Sequence, residues 1–508
     1  MMIQGVGAAW AMTRIAGSPD MIALVQTASF LPYMLMAVPA GAIADTFNRR
    51  TVAIAAAMLS LVTAATLTLA WLSNIVSPPV LLLFCFSAGT ASAFFAPTWQ
   101  ASVREHVPSS LLAEAISLNS VSFNLARSFG PALGGLLVAL AGVFAAFVAN
   151  AVLSVPMLLA LFTWRRLAPS PLLPRESFAR AVISGTRYIF HSSAIRALLG
   201  RAVGISLIGS AIPALMPLVA RDLVKGGPGS YGVLLGAFGF GAVIGALSIS
   251  HGRRRFEAEK IVRMCTVALA AATLVLGYSS SLLLSVGVLA VAGSAWMVAT
   301  SLINVEIQVL SPNWVAGRTL GAFQASIAGG FAIGGALWGA VAVYLDITLA
   351  LASSGVAMLA SLLLSLWMRV PRSKPASDEI FVPPTPLDLA LPLSLDAGPI
   401  FITISYCVDG SKAEAFHALM TRLERIRCRN GGFGWAFSRD IEHPQIWMER
   451  FQCPSWSDYL HMRSRFTPME RALIQGVYDL SMKPPSVRRM LDRPTTFEGN
   501  SSGTSPGL

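Results

Sequence analysis

A chain of 508 residues that is 55% hydrophobic and 12% charged, with a mean hydropathy of +0.65, has too few polar groups to cover itself in water; soluble domains carry ~25% charged residues. Its formal charge of +12 divides into 23 Lys+Arg against 10 Asp+Glu in residues 1–375 and 14 against 15 beyond, and the excess sits between apolar runs rather than on a soluble face, which excludes a nucleic-acid reader. Five cysteines with no CxxC or Cys/His ligand spacing suggest neither zinc nor a disulfide framework.

Runs long enough to cross a bilayer, ~20 residues each, fall at 22–44, 52–73, 79–100, 112–141, 143–163, 198–219, 231–250, 261–278, 282–310, 318–345 and 347–368. Ile3 to Ile15 adds a shorter apolar stretch. It lacks the basic flank of a signal peptide, so we read it as a first transmembrane helix whose beginning lies upstream of this start, giving twelve. Basic residues fall on alternate connections, at Arg49/Arg50, Arg104, Arg165 to Arg201, Arg253 to Arg263, Arg318 and Arg369 to Lys374. The positive-inside rule makes that side cytoplasmic, with both termini inside.

The two halves repeat. Gly130-Pro131-Ala-Leu-Gly134-Gly135 matches Gly330-Phe-Ala-Ile-Gly334-Gly335 at an offset of 200, and Gly41 with Arg49-Arg50 matches Gly245 with Arg253-Arg254 at 204. Two matches in the same order point to a duplicated six-helix unit. Ile249 stands where Asp45 stands in the first half, so the second loop loses that acid. A basic connection, 164–197, separates the bundles at 1–163 and 198–369, and its stretch from Ser177 to Ser193 reads as an amphipathic surface helix.

Gly41-Ala-Ile-Ala-Asp45-Thr-Phe-Asn-Arg49-Arg50 resembles the loop signature of the major facilitator superfamily, and Asn124-Leu-Ala-Arg127-Ser-Phe-Gly130-Pro131-Ala-Leu-Gly134-Gly135 resembles the fifth-helix motif of its antiporters and exporters. The layout with a soluble tail resembles the transmembrane secretion effectors, relatives of enterobactin exporters. The resemblance implies a twelve-helix fold of two six-helix bundles, an all-α membrane protein exporting a small molecule by alternating access, with the proton as coupling ion. No GxxxxGK[ST] is present, so no P-loop powers it.

By that resemblance Gly41, Asp45, Arg49 and Arg50 latch the cytoplasmic side. Asp45 has two local partners in reach, Arg49 at i+4 if the helix persists or a neighbouring helix N-terminus; the alternative is an ordinary topology-setting turn. Gly130, Gly134 and Gly135 allow close helix approach and Pro131 a local kink, with plain packing as the alternative to gating. Arg127, with Asn124 three residues earlier, sits where a cation is costly without a cavity or partner; it is an anion or coupling site, or a structural arginine. Glu306 with Asn304 lines the cavity or is merely solvated at a helix end. Proton coupling would fall to Glu306 or Asp45.

After a Pro/Ser/Asp-rich linker at 370–398, residues 399–492 read as strand, helix, strand pair, and a second helix interrupted near Pro468, with a last strand. That order suggests a small ferredoxin-like α+β domain; 493–508 is Gly/Ser/Thr-rich and reads as disordered. Trp447-x-Glu449-x-Phe451 followed by Trp456-x-x-Tyr459-x-His461 resembles the antibiotic-biosynthesis-monooxygenase domains, which implies sheet-to-sheet homodimers and makes Trp447, Glu449 and His461 a candidate site. No cofactor or metal motif accompanies it, so we expect a sensing or dimerising module; the competing expectation is a catalytic domain that modifies the cargo. A degenerate, non-transporting receptor is a third possibility.

Overall fold

Proline and short polar residues set where the helices begin. The computed structural model describes residues 2–16, 18–103, 106–107, 111–164, 178–312, 315–368 and 393–492. Most of the linker expected at 370–398, and the tail at 493–508, lie outside the described residues. Helix α1 (Met2–Ile15) is short, α2 (Pro19–Thr46) and α4 (Pro78–Ser102) start with proline after Ser18 and Ser77, and α9 (Pro228–Arg255) starts with proline after Gly227. Proline fits there because its missing N–H has no helical partner in the first turn. Asn48 caps α3 (Arg49–Leu72), accepting from the Arg50 N–H at 3.1 Å.

Helix α5 (Leu112–Thr163) is two spans broken at Gly142, whose φ of 76° only glycine adopts easily. The break falls where the apolar spans 112–141 and 143–163 meet, and the backbone keeps helical φ/ψ through Pro131. Helices α6 (Phe178–His191), α7 (Ser193–Gly209) and α8 (Ala211–Leu218) follow, α8 running into a π-helical turn at Val219–Leu223. Then come α10 (Ala258–Tyr278), α11 (Leu282–Leu310), α12 (Ala316–Tyr344) and α13 (Ile347–Trp367). Among the described residues eight helices are long and apolar enough to cross a membrane. With α1, α2 and α13, and α5 taken as two spans, the architecture has twelve segments.

The chain forms two compact units, one of residues 1–185 with 193–375 and one of 186–192 with 376–508. In the first, Leu83, Leu140, Leu247, Leu283 and Leu363 stand largely exposed on five different apolar helices, which suits lipid as the surrounding solvent. Polar groups inside it find backbone partners. At the α7–α8 break Trp338 Nε1 donates to the Leu207 carbonyl at 2.9 Å and Ser354 Oγ to that of Ile208 at 2.9 Å, so interrupted backbone is re-satisfied by neighbouring helices.

The second unit carries an antiparallel sheet of β1 (Ile400–Cys407), β2 (Phe433–Arg439), β3 (Ile446–Cys453) and β4 (Ser486–Leu491) in the order β2-β3-β1-β4. Helix α14 (Ala413–Asn430) follows β1, and α15 (Trp456–Ser464) with α16 (Pro468–Asp479) follows β3. This is the ferredoxin-like order, with the helical interruption before Pro468 closed by a Thr467–Glu470 capping box. Ile400, Ile402, Ile404 and Tyr406 face the helices with Phe416, Met420 and Leu423; the alternation of a half-covered sheet puts Phe401, Phe433, Met448 and Met490 on the opposite face. Residues 186–192 belong to this packing: Arg187 Nη1 donates to the Gly431 carbonyl at 3.0 Å, and Arg429 lies 5.4 Å over the Tyr188 ring.

Candidate functional site

The repeated glycines occupy repeated roles. A Cβ on Gly130 meets the Met2 side chain, and one on Gly134 meets Ile3 and Val6, all on α1 of the same bundle. On Gly135 it comes within 2.2 Å of the Gly232 Cα on α9, in the other bundle. In α12, Gly330 and Gly334 press on Ser206, Leu207 and Ser210 at the α7–α8 junction of their own bundle. Gly335 crosses to α2, with Thr27 Oγ1 at 2.9 Å and the Ala23 carbonyl at 3.2 Å from its missing Cβ. Each run thus holds one helix of its own bundle with its first two glycines and the opposite bundle with its third.

Around these crossings the bundles are closed. Thr27 Oγ1 donates to the Ala332 carbonyl at 2.7 Å, Phe30 stacks on Phe331 at 5.0 Å, and Trp10 stacks on Tyr231 at 5.5 Å. Arg221 Nη1 donates to the Thr13 carbonyl at 3.4 Å, and Gly339 presses on Asp20 and Ala23. These residues lie in α1, the first half of α2, the second half of α12, the stretch of α5 before Gly142, the π-helical turn after α8 and the start of α9. Met34, 3.2 Å from the missing Cβ of Gly329, carries the α2–α12 contact past the middle of both helices.

At the basic end, which bears Arg49/Arg50, the Arg50 contacts stay inside the first bundle. Arg50 donates from Nε to the Leu161 carbonyl (3.2 Å) and from Nη2 to that of Phe162 (2.7 Å), tying the start of α3 to the end of α5. Asp45 and Arg49 are not an i,i+4 pair on one helix, because α2 ends at Thr46 and a new helix begins at Arg49. The Asp45, Asn124 and Arg127 side chains, and the surroundings of Gly41, lie outside what the structure describes.

In the second bundle Ile249 removes the acid expected from the repeat, and another helix supplies one. Arg253 Nη2 is 3.4 Å from Glu306 Oε1, and Glu306 is buried (3% exposed), not solvated at a helix end. Its Oε2 has no partner among the described residues, which is costly in a buried carboxylate. Asn304, two residues before Glu306 and so on a different face of α11, accepts from Gln308 Nε2 one turn on. Sequence reasoning missed a second cluster in which Glu259 binds both Arg201 and, at 2.6 Å, Arg263. Arg263 Nη2 also donates to the Ser365 carbonyl (3.2 Å), so α7, α10 and α13 are joined there.

In the second unit, the candidate trio does not assemble through any contact among the described residues. Glu449 is fully buried and its oxygens are occupied: Arg427 Nε at 2.9 Å, Trp435 Nε1 at 3.1 Å and the Tyr406 hydroxyl at 2.8 Å. Burial, and then the Glu449 charge, push the Tyr406 phenol well above its ordinary value. Trp447 stacks on Phe437 at 5.1 Å beneath Arg439. His461 instead bonds the Ser457 carbonyl of its own helix through Nδ1 at 2.8 Å. Arg427, Tyr406 and Trp435 were the unseen members, since three elements bring them to one carboxylate. No cluster of three or more metal-capable side chains occurs among the described residues.

Enterobactin exporters EntS of Escherichia coli O1:K1 and of Shigella boydii serotype 18 are 27% identical to this chain over 292 residues, spanning 56% of it and 69% of theirs. Among solved structures, an inward-facing bacterial homologue of the lysosomal transporter Spinster superposes with a TM-score of 0.55 at 15% identity, covering 72% of this chain and 92% of that one. A single-site mutant of the nucleoside transporter NupG gives 0.57 at 12% identity, covering 72% and 98%. These likenesses show the major facilitator fold. The transmembrane secretion effector family matches residues 1–495, and this multi-pass membrane chain belongs to that family of major facilitator transporters.

Proposed function

We propose that the chain is a secondary active exporter that moves a small siderophore-like or drug-like molecule out of the cytoplasm by alternating access, with the proton as coupling ion. The observation that supports this reading is the glycine seam by which each bundle grips the other, Gly135 against Gly232 and Gly335 against α2, in a chain of the secretion effector family. With the basic end cytoplasmic, as loop charge implies, the Gly135 and Gly335 crossings lie towards the outer side, where backbone-close packing can seal a cavity between the bundles. Exchange of partners between the two ends then moves the cargo across. The kinship with enterobactin exporters favours an amphipathic, siderophore-class cargo. Of the two carboxylates that could carry the coupling proton, Glu306 and Asp45, Glu306 is the one whose side chain is described, buried beside Arg253.

The test is uptake of a labelled catecholate siderophore into inside-out proteoliposomes under an imposed proton gradient. Uptake that collapses with the gradient is expected. No uptake above protein-free liposomes across a panel of siderophores and drugs would sink the reading.

For the tail we propose a dimerising module. The face bearing Phe401, Phe433, Met448 and Met490 is the side of the sheet that its own helices leave open, and the resemblance to sheet-pairing domains names a second copy as its occupant. Met448→Glu is expected to halve the protein mass per detergent particle in light scattering; an unchanged mass argues against it.

A further inference from the structure

A groove of about 690 Å³ runs along the outside of the second bundle between α10 and α13. Lys260 and Arg263 stand at its basic end, and Met264, Val267, Ala271 and Leu363 line its length. We propose that this groove binds an anionic phospholipid, its phosphate at Lys260 and Arg263 and one acyl chain along the apolar floor.

Three observations carry the assignment. The first is charge. Lys260 has only the Phe256 ring beneath its ammonium, at 4.9 Å, and no hydrogen-bond or ion-pair partner among the described residues. Arg263 spends Nε and Nη2 on Glu259 and the Ser365 carbonyl, which leaves Nη1 to a ligand. The Glu259 carboxylate is shared between Arg201 and Arg263, so that trio keeps one net positive charge, and Lys260 adds another. An anion suits this end, and a zwitterionic headgroup gains less.

The second is length. From Lys260 to Ala271 an α-helix rises ~16 Å, about half of a ~30 Å hydrocarbon core. The groove therefore runs from the headgroup level to the bilayer midplane, the reach of a chain in one leaflet.

The third comes from the repeat. Arg253 and Arg254 have counterparts in Arg49 and Arg50, and these suffice to set topology. At the same offset Lys260 and Arg263 correspond to Ala56 and Leu59, which line a groove on α3 that has no cation. Arg263 arrives in the second bundle together with its partner Glu259, where the first has Leu59 and Ala55, whereas Lys260 is an added charge that no described carboxylate meets.

Native mass spectrometry of the full-length protein in detergent, supplied with equal amounts of phosphatidylglycerol and phosphatidylcholine, tests the proposal. Wild type is expected to retain phosphatidylglycerol preferentially. Lys260→Gln should lower that retention about fivefold, the factor for one basic residue at an anionic surface, and Val267→Trp should lower it by filling the groove without touching a charge. Equal retention of both lipids, displacement of phosphatidylglycerol by millimolar inorganic phosphate, or unchanged retention in both variants would each overturn it.

Discussion

Gly135 and Gly232 touch backbone to backbone across the two bundles: a methyl on Gly135 comes within 2.2 Å of the Gly232 Cα. Neither helix has a flexible side chain there to move aside. Gly130, five residues earlier on α5, faces only the Met2 side chain, 2.9 Å from its missing Cβ.

Gly135→Ala is therefore expected to force α5 and α9 apart and disfavour the state closed at that end. Overpacking costs ~1–3 kcal/mol, which moves a two-state population by a factor of about 5 to 150. Spin labels across the α5–α9 contact should show a longer distance in Gly135→Ala and an unchanged one in Gly130→Ala. If both variants keep the wild-type distance, the glycines serve only general packing.

The glycine runs were legible in the sequence because duplication left them at a constant offset, and so were the apolar spans and the order of strands and helices in the tail. What they touch was not. That Gly135 meets Gly232 and Gly335 meets α2 depends on which helices cross between bundles, which no local periodicity records. The pairing of Arg253 likewise escaped, because its acid comes from Glu306 on another helix rather than from the loop position where the first half has Asp45. In the tail, Glu449 stood out by its motif. Its partners, on β1, α14 and β2, meet only once the sheet and α14 have assembled.

Glu306 is a buried carboxylate with one oxygen near Arg253 and one without a partner among the described residues. Glu306→Gln should abolish the response of transport to an imposed pH gradient in proteoliposomes while leaving substrate counterflow, which needs no net proton movement. Gradient-driven transport that survives in Glu306→Gln would assign coupling elsewhere, with Asp45 the next residue to test.

The Glu449 carboxylate neutralises Arg427 inside the tail, where both are almost wholly buried. Glu449→Ala strands the guanidinium, and breaking a buried pair costs ~3–5 kcal/mol. Hydrogen exchange of the intact protein should show lost protection in β1, β3 and α14, with Tyr406→Phe giving a smaller loss, ~1.5–3 kcal/mol for one bond to a charge. Undiminished protection in Glu449→Ala would indicate that the carboxylate is kept for chemistry and not for the fold.

Cys453 gives the tail a defined alkaline weakness. Burial, and then the Asp458 carboxylate, push its thiol up to about 12. The unfolded chain releases this proton at about 9 while the folded chain holds it to about 12, so the stability is complete below the first value and is lost as pH rises towards the second. The slope is ~1.4 kcal/mol per pH unit, and the Tyr406 phenol, also raised, adds to it above its own ordinary value. The thiol is itself the probe, because in the folded domain it is inaccessible. The urea concentration that half-exposes Cys453 to an alkylating reagent, read by mass spectrometry, should fall between about pH 9 and about pH 10.5. A midpoint constant over that interval would mean that the folded thiol ionises as readily as the unfolded one, contrary to its burial.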